Sequence, residues 1–233
     1  MRRVALIYNP ASGQHSIGRR KAVEKALAVL RTAGVEVEAL ETFAPGSASV
    51  LAEEATRRGC DTILACGGDG TVHEVLQSLV GTNVALGVVP LGTANALAAN
   101  LGLQTSPAKA VRKLLTAKPV RFSVGQISYR DESGTTRSRY FTVAAGVGAD
   151  ALFLSRLDPS LKRRLGYVLY VIEAFRVWAT HDFPLFEAAF VERESARPRH
   201  PGVRSISSIS ALPMIPLAPA TRAILSVIAE LSV

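Results

Sequence analysis

The stretch that decides the fold of this chain reads Cys66-Gly67-Gly68-Asp69-Gly70-Thr71-Val72-His73-Glu74. It follows a short apolar run, residues 62–66, that predicts a buried strand, and it leads into a helical spacing that starts near Thr71. Glycines at such a junction let the backbone approach a ligand closely. The free N–H groups and positive dipole end of the following helix suit a phosphate. The stretch therefore predicts a strand, an anion-binding loop and a helix.

The carboxylate of Asp69 is unexpected in a loop that would contact phosphate directly. It is explained if Asp69 acts through Mg²⁺ or water, or if it holds the loop by hydrogen bonds. The simpler alternative is a tight turn in which Asp69 caps the helix without any ligand. The residues of this loop alone leave these alternatives open.

Outward from this loop, the first half of the chain alternates between strand and helix patterns. Strands are predicted at residues 4–8, 35–42, 62–66 and 84–89, and helices at residues 19–33 and 47–58, the second with Ser47 as its N-cap. Strands separated by single helices imply right-handed crossovers and a mainly parallel sheet. Ligands of such sheets bind outside the carboxyl ends of the strands.

Two further loops leave predicted strands by the same end. They read Asn9-Pro10-Ala11-Ser12-Gly13, the first loop in chain order, and Pro90-Leu91-Gly92-Thr93-Ala94-Asn95, the third; the loop at Gly67-Gly68-Asp69-Gly70 is the second. Each alone is a common turn composition, but three such loops together favour a binding site. The chain has no G-x-x-x-x-G-K-[ST] loop and no G-x-G-x-x-G after its first strand, which argues against P-loop and ordinary dinucleotide-binding folds.

A β-rich second part is predicted from about residue 120. Residues 120–129 and 138–144 flank a turn at Asp131-Glu132-Ser133-Gly134 and predict a hairpin. A helix at 161–179 and a strand at 183–191 follow. We therefore expect an α/β nucleotide-binding domain at 1–119, a β-rich, sandwich-type domain at 120–196 that looks incomplete, and an irregular Pro-rich tail at 197–233 that ends in one short helix from Thr221.

Composition sets the broad class. The 233 residues are 48% hydrophobic, which excludes a disordered chain. Two cysteines, Cys60 and Cys66, cannot make a disulfide framework and favour a reducing, cytoplasmic location. No run of 18 apolar residues and no signal peptide are present, so we expect no membrane span. The net charge of +8 attracts phosphates, anionic lipids or nucleic acid without choosing among them.

Together the three loops resemble the catalytic domain of the diacylglycerol kinase and sphingosine kinase superfamily, most closely its bacterial lipid kinases, over residues 3–191. The resemblance implies an α/β nucleotide-binding domain and a β-sandwich, with ATP in the cleft between them. It also implies transfer of the γ-phosphoryl group of ATP, with Mg²⁺, to the hydroxyl of a diacylglycerol-like or sphingoid lipid.

The resemblance assigns site residues by position. On the lipid side it implies Gly146, Gly148 and Asp150, and it makes Asp69 an indirect ligand of the metal. The nucleotide-binding residues that it implies are Asn9, Ser12, Gly13, Thr42, Gly67, Gly68, Asp69, Gly70, Thr71, Val72, His73, Glu74, Gly92, Thr93 and Asn95.

The sequence departs from the family pattern at three places. His73 replaces the usual Asn of the bacterial enzymes, and Ala96 stands where the family usually has Asp. No Asp-Gly-Glu turn, which supplies the family's catalytic base, occurs in the chain, so the catalytic base is not identified. A frameshift or truncation after about Glu194 would explain this, and we expect the chain to be a poor or inactive kinase.

Expected partners follow from the same resemblance. Lys162-Arg163-Arg164 precedes an apolar, aromatic stretch and predicts contact with an anionic membrane surface, although a solvated helix start explains it as well. We expect a lipid substrate, peripheral membrane association, no specific nucleic acid and a possible homodimer. The alternative functions are an NAD kinase, which shares the Gly-Gly-Asp-Gly loop, and a nucleotide-binding remnant without catalysis.

Overall fold

The computed structural model describes residues 1–10, 16–103, 105–122, 124–131, 133–143, 145, 187–193 and 224–230. Only the backbone is described for residues 16, 17, 187–193 and 224–230. The chain divides into two compact units, the first formed by Met1–Arg121 with Tyr140–Val143 and the second by Phe122–Arg139 with Ala144–Val233. The predicted helix at 161–179, with Lys162-Arg163-Arg164, lies outside the described residues.

The first unit is an α/β layer structure, as its sequence predicts. A parallel four-stranded sheet has the order β2-β1-β3-β4. Two helices that the pattern does not predict, α4 and α5, follow the last strand. The elements are β1 Arg3–Tyr8, α1 Ser16–Thr32, β2 Glu36–Glu41, α2 Ser47–Arg57, β3 Thr62–Gly67, α3 Asp69–Leu79, β4 Ala85–Pro90, α4 Ala96–Asn100 and α5 Pro107–Thr116.

The core consists of two apolar layers, one on each face of the sheet. On one face, Val4 and Leu6 of β1 are fully buried against α1 and α5, in a cluster that includes Leu30 and Val111. On the other face, Ala5 and Ile7 belong to a cluster with residues of α2, α3 and α4. Central parallel strands buried on both faces give continuous apolar runs, which is why they are readable in the sequence.

The order of the strands locates the ligand-binding edge. The helix that follows β1 covers one face of the sheet, whereas the helix that follows β3 covers the other. Because β1 and β3 are neighbours, the chain leaves the sheet in opposite directions at their carboxyl ends. Such a switch point opens a crevice at that edge, where ligands of open α/β sheets bind.

The predicted N-cap of α2 is wrong. Gly46 occupies the N-cap position with φ of 85°, a left-handed conformation that favours glycine. The hydroxyl of Ser47 instead donates to the carbonyl of Ala44 at 2.6 Å and lies 3.2 Å from the amide of Phe43 as an acceptor. Once Gly46 supplies the turn, Ser47 closes the preceding loop and begins the helix itself.

The second unit is β-rich, as its sequence predicts. Its described strands are β5 Val124–Arg130, β6 Thr136–Phe141, β7 Glu187–Arg193 and β8 Ile224–Glu230, in the order β6-β5-β8-β7. The last two residues of β6, Tyr140 and Phe141, belong to the first unit. The hairpin of β5 and β6 is confirmed, and β8 pairs antiparallel with β5 and parallel with β7. The described residues of this unit form a single sheet.

The short helix predicted from Thr221 is wrong, since residues 224–230 form β8. Ile224, Val227 and Ile228 are β-branched and favour a strand. A helix this short is marginal on its own, whereas β8 gains hydrogen-bonding partners on both of its sides.

Candidate functional site

The glycine loops and the end of β2 meet at the carboxyl edge of the sheet. The amide of Asn9 donates to the carbonyl of Cys66 at 3.3 Å, which joins the start of the first loop to the end of β3. The amide of Leu91 donates to Gly67 at 2.9 Å and joins the second loop to the third. The amide of Thr42 donates to Tyr8 at 3.0 Å. These bonds bring Asn9, Thr42, Gly67 and the third loop to one edge.

Gly68 lies so close to Gly92 that residue 92 has no room for a side chain. A methyl group on Gly92 would lie 2.5 Å from Cα of Gly68 and 2.9 Å from Oδ1 of Asn95. A methyl group on Gly70, by contrast, would have no protein atom within 4 Å. Glycine is therefore required at 92 by packing inside the protein, whereas Gly70 faces open space.

Asp69 ties the second loop to the third. Its Oδ1 accepts a hydrogen bond from the amide of Ala96 at 2.6 Å. It does not cap its own helix, whose N-cap is Gly68. The structure thus shows that Asp69 holds the loop by a hydrogen bond, which is one of the explanations that the sequence left open. The contact uses the backbone of Ala96, so it does not depend on the side chain that differs from the family pattern.

Asn95 closes the third loop on itself. Its backbone is left-handed, with φ of 50°, which asparagine tolerates better than most residues. Its Oδ1 accepts the amide of Gly92 at 3.0 Å and its Nδ2 donates to the carbonyl of the same residue at 2.8 Å. Both ends of the side chain are thus used to shape the loop.

The start of α3 is the feature of this edge most suited to an anion. Among the described residues, no side chain caps this helix. The first amides of α3, at Asp69, Gly70 and Thr71, have no carbonyl of their own helix to bind, and the helix dipole is positive at this end. Asp69, Gly70 and Thr93 are exposed around it. The arrangement provides backbone donors and a positive potential, which is what a phosphate group requires.

The other residues predicted on α3 do not all face this edge. Thr71 is buried beneath Gly67, and Val72 belongs to the hydrophobic core, so only their backbones are available there. His73 is exposed. Oε2 of Glu74 accepts the amide of Ala48 at 3.1 Å, which caps the start of α2 from a neighbouring helix.

Several predicted residues lie outside the described ones. Of the nucleotide-side set these are Ser12 and Gly13, and of the lipid-side set Gly146, Gly148 and Asp150. In the part of the chain that the structure describes, no group of three His, Cys, Asp or Glu side chains is placed to hold a metal ion. Within the same part, no helix is long and apolar enough to cross a membrane.

Two polar arrangements near the site are not predicted by the sequence, one at this edge and one farther along α3. The hydroxyl of Tyr8 donates to Oε2 of Glu41 at 2.8 Å, and this hydrogen bond raises the pKa of Tyr8. Tyr8 is the last residue of β1 and Glu41 is the last residue of β2. Since both strands end just before predicted site residues, Asn9 and Thr42, their shared position could have indicated that these two side chains meet at the site.

The second missed arrangement involves Gln77. Its Oε1 accepts the amide of Tyr140 at 2.9 Å, and its Nε2 donates to the carbonyl of Tyr140 at 2.8 Å. Both residues belong to the first unit. Nothing local in the sequence indicates this pair, because its members are 63 residues apart.

Comparisons with a family model and with known proteins point to the same family. The model of the diacylglycerol kinase catalytic domain matches residues 3–127. The chain is 31% identical over 152 residues to a probable lipid kinase YegS-like of Klebsiella pneumoniae (strain 342), covering 64% of this chain and 48% of that protein. It is 31% identical over 180 residues to a diacylglycerol kinase of Bacillus subtilis (strain 168), covering 76% and 56%.

A solved structure gives the same result. A diacylglycerol kinase from Bacillus anthracis str. Sterne superposes with a TM-score of 0.56 at 26% identity, covering 75% of this chain and 54% of that chain. The chain spans about half the length of the curated relatives it matches.

Proposed function

Because the chain belongs to the diacylglycerol kinase catalytic domain family, we propose that it binds ATP and transfers the γ-phosphoryl group to the hydroxyl of a lipid. The observation that carries the proposal is the tie between Asp69 and Ala96. It holds the second and third loops together beside the uncapped start of α3, with Gly70 facing open space. The relatives are named as lipid or diacylglycerol kinases, which supports a diacylglycerol-like or sphingoid acceptor.

The phosphates are proposed to lie at the start of α3. Gly68 and Gly70 allow close approach of the backbone, Thr93 adds an exposed hydroxyl, and the helix dipole favours negative charge. Mg²⁺ usually takes one or two carboxylates together with phosphate oxygens and water. Asp69 suits that role through a water molecule, because it is exposed while its Oδ1 is engaged by Ala96. Bound Mg²⁺ would supply charge neutralisation on the phosphates.

The nucleoside is proposed to lie along the edge from β3 across β1 to β2. Adjacent strands are about 4.8 Å apart, so this path is about 10 Å long, a span that a nucleotide covers between its phosphates and its base. Asn9 and Thr42 stand on this path. Glu41, oriented by Tyr8, offers a carboxylate acceptor to ribose hydroxyls next to Thr42.

The remaining parts of the proposal concern the acceptor. A lipid acceptor requires contact with a membrane, so we propose peripheral association with an anionic bilayer from the cytoplasm. Phosphoryl transfer depends mainly on positioning and electrostatic stabilisation, and it also needs a group that orients or deprotonates the acceptor hydroxyl. The described residues do not assign that group.

Calorimetry with Mg·ATP tests the nucleotide site. Gly68→Val adds a bulky side chain beside Gly92, at the contact between the two loops that are proposed to hold the phosphates, and Asp69→Ala removes the tie between the same loops. Both variants are expected to bind Mg·ATP at least tenfold more weakly than the wild type. Ala117→Val, an exposed substitution after α5, controls for the added bulk. Unchanged affinity in both site variants would overturn the assignment.

A transfer assay tests the acceptor. Radiolabelled ATP is supplied with vesicles that contain diacylglycerol or sphingosine, and separately with NAD. Label in a lipid supports the proposal. Label in NAD alone would support the NAD kinase alternative, and bound ATP without any transfer would support a catalytically inactive nucleotide-binding protein.

A further inference from the structure

The charge of the first unit is divided between the two faces of its sheet. Helices α1 and α5 cover one face and together carry eight Lys or Arg residues and one acidic residue, Glu24. Their net charge of +7 accounts for most of the +8 of the whole chain. Helices α2, α3 and α4 cover the other face and carry four acidic residues and one Arg, a net charge of −3.

The exposed cations of α1 and α5 lie on the side of these helices that faces away from the sheet. The two helices pack against each other, and they bury Val23, Leu27, Leu30 and Val111 in the same core cluster. Their charged side chains therefore point away from the sheet. We call this surface the basic helix face, and its exposed members used below are Lys21, Lys25, Arg31, Lys109, Arg112 and Lys113.

The positive charges of the basic helix face have few acidic partners on the same helices. Glu24 forms an ion pair with Arg20 at 3.5 Å, and both side chains are mostly exposed. Lys21 and Lys25 are one helical turn apart, as are Lys109 and Arg112 or Lys113, and like charges at such spacings destabilise a helix. A face that repels itself in the free protein is stabilised when an anionic partner covers it.

We propose that the basic helix face docks on the anionic headgroups of a lipid bilayer. The choice of a bilayer rests on the proposed function, because a lipid acceptor resides there. Two packed helices present their cations across a broad layer rather than at a single point, and juxtamembrane clusters of Lys and Arg bind anionic lipid in this way. Arg19 in the first turns of α1 donates to the carbonyl of Pro10, just after β1, so one end of the face adjoins the nucleotide edge. The basic helix face does not include Lys162-Arg163-Arg164, which lie outside the described residues.

Vesicle flotation of the full chain tests the proposal. Vesicles of phosphatidylcholine alone are compared with vesicles that also contain phosphatidylglycerol, at low and physiological salt. The wild type is expected to bind only the anionic vesicles, more weakly as salt rises, because screening shortens the reach of surface charges. Replacing Lys25, Lys109 and Arg112 by Gln should weaken binding about 100-fold, since each cation near the surface contributes about one tenfold step or slightly less. Replacing the three by Glu should weaken it further.

The matched control carries Arg57→Glu, Arg130→Glu and Arg139→Glu. These exposed residues lie outside α1 and α5, and the control has the same change in net charge as the Glu variant. It is expected to lose no more than a few-fold in vesicle binding. Equal losses in the control and the face variant would show that only net charge matters and would overturn the proposal. Equal binding to neutral and anionic vesicles would overturn it too.

Two further experiments test the alternatives, which are docking through Lys162-Arg163-Arg164 and binding of RNA. A variant with Lys162, Arg163 and Arg164 replaced by Glu should keep part of the vesicle binding. If this variant loses all vesicle binding while the variants of the basic helix face bind normally, the basic helix face is not the docking surface. A labelled RNA that binds the face in place of vesicles would also overturn the proposal. The Gln variant should bind Mg·ATP with the same affinity as the wild type, measured by calorimetry. If the proposed function is wrong but the docking surface is right, the wild type will bind anionic vesicles and will not bind Mg·ATP.

Discussion

At the scale of single residues, the site is built by polar side chains that bind the backbone of their own loops. Asn95 uses both ends of its amide on Gly92, and Asp69 uses one oxygen on Ala96. Gly92 must be glycine because Gly68 lies against it. The carboxylate that is unexpected in a phosphate loop is therefore explained first as a structural tie, and its exposed position leaves it accessible to the water shell of a metal ion.

Two substitutions of Asp69 separate the tie from the charge. Asp69→Ala leaves the amide of Ala96 without its acceptor. This should lower the free energy of unfolding by about 1 kcal/mol, since the position is exposed. The amide of Ala96 should also lose protection from hydrogen exchange. Asp69→Asn keeps an oxygen acceptor and should keep that protection, yet it removes the charge. We expect both variants to bind Mg·ATP more weakly. If Asp69→Asn loses the Ala96 protection as fully as Asp69→Ala, the hydrogen bond depends on charge and the two roles cannot be separated in this way.

At the scale of elements, α3 is fixed along its length while its start stays open. Val72, Val75 and Leu76 are buried in the core. Glu74 binds the amide of Ala48 at the start of α2, and Gln77 binds both backbone groups of Tyr140. A helix held at these points presents its first amides in a constant position, which is the preorganisation that anion binding needs.

Gly70→Ala tests whether the open space at the start of α3 holds a ligand. The position is helical and has room for a methyl group, so alanine should stabilise the protein by about 0.5–1 kcal/mol. The same methyl group should lower Mg·ATP affinity at least tenfold. Gly18→Ala in the first turn of α1 is the control, because it also meets no atom within 4 Å. Thermal unfolding and calorimetry measure both effects, and unchanged affinity in Gly70→Ala would contradict the placement of the phosphates.

The turn between β5 and β6 should respond to acid through Asp131. Hydrogen bonds from Ser133 and Arg137 lower the pKa of Asp131 to about 2. Since this pKa is below the unfolded value of about 3.9, the contribution of Asp131 to stability is present above about pH 4 and is lost as pH falls through the folded value. The amide signals of Ser133 and Thr135, which donate to Asp131 at 3.0 Å, should titrate in NMR spectra near pH 2 and become insensitive in Asp131→Asn. A midpoint near 4 would show that the turn does not hold the carboxylate.

At the scale of the whole molecule, the sequence predicted those features that depend on a local pattern of residues. Buried strands such as β3 give continuous apolar runs, and glycine loops mark their ends. The partner of Asp69 could not be predicted, because Ala96 lies 27 residues away and contributes only a backbone amide. The last segment was wrongly expected to be helical because its partners, β5 and β7, are distant in sequence. Both features depend on partners far away along the chain, which a local pattern does not reveal.

The last prediction concerns catalysis by the 233-residue chain. We propose that the edge of the first unit binds and neutralises phosphate. The sequence contains no Asp-Gly-Glu turn, in which the family resemblance places the catalytic base. General acid–base catalysis contributes about 10²- to 10⁴-fold to a rate, so this chain should bind Mg·ATP normally and phosphorylate lipid slowly. Replacing the residues after Glu194 by the corresponding part of the Bacillus subtilis diacylglycerol kinase should raise lipid phosphorylation at least tenfold without changing ATP affinity. Rapid lipid phosphorylation by the unmodified chain would mean that another of its residues orients the acceptor hydroxyl.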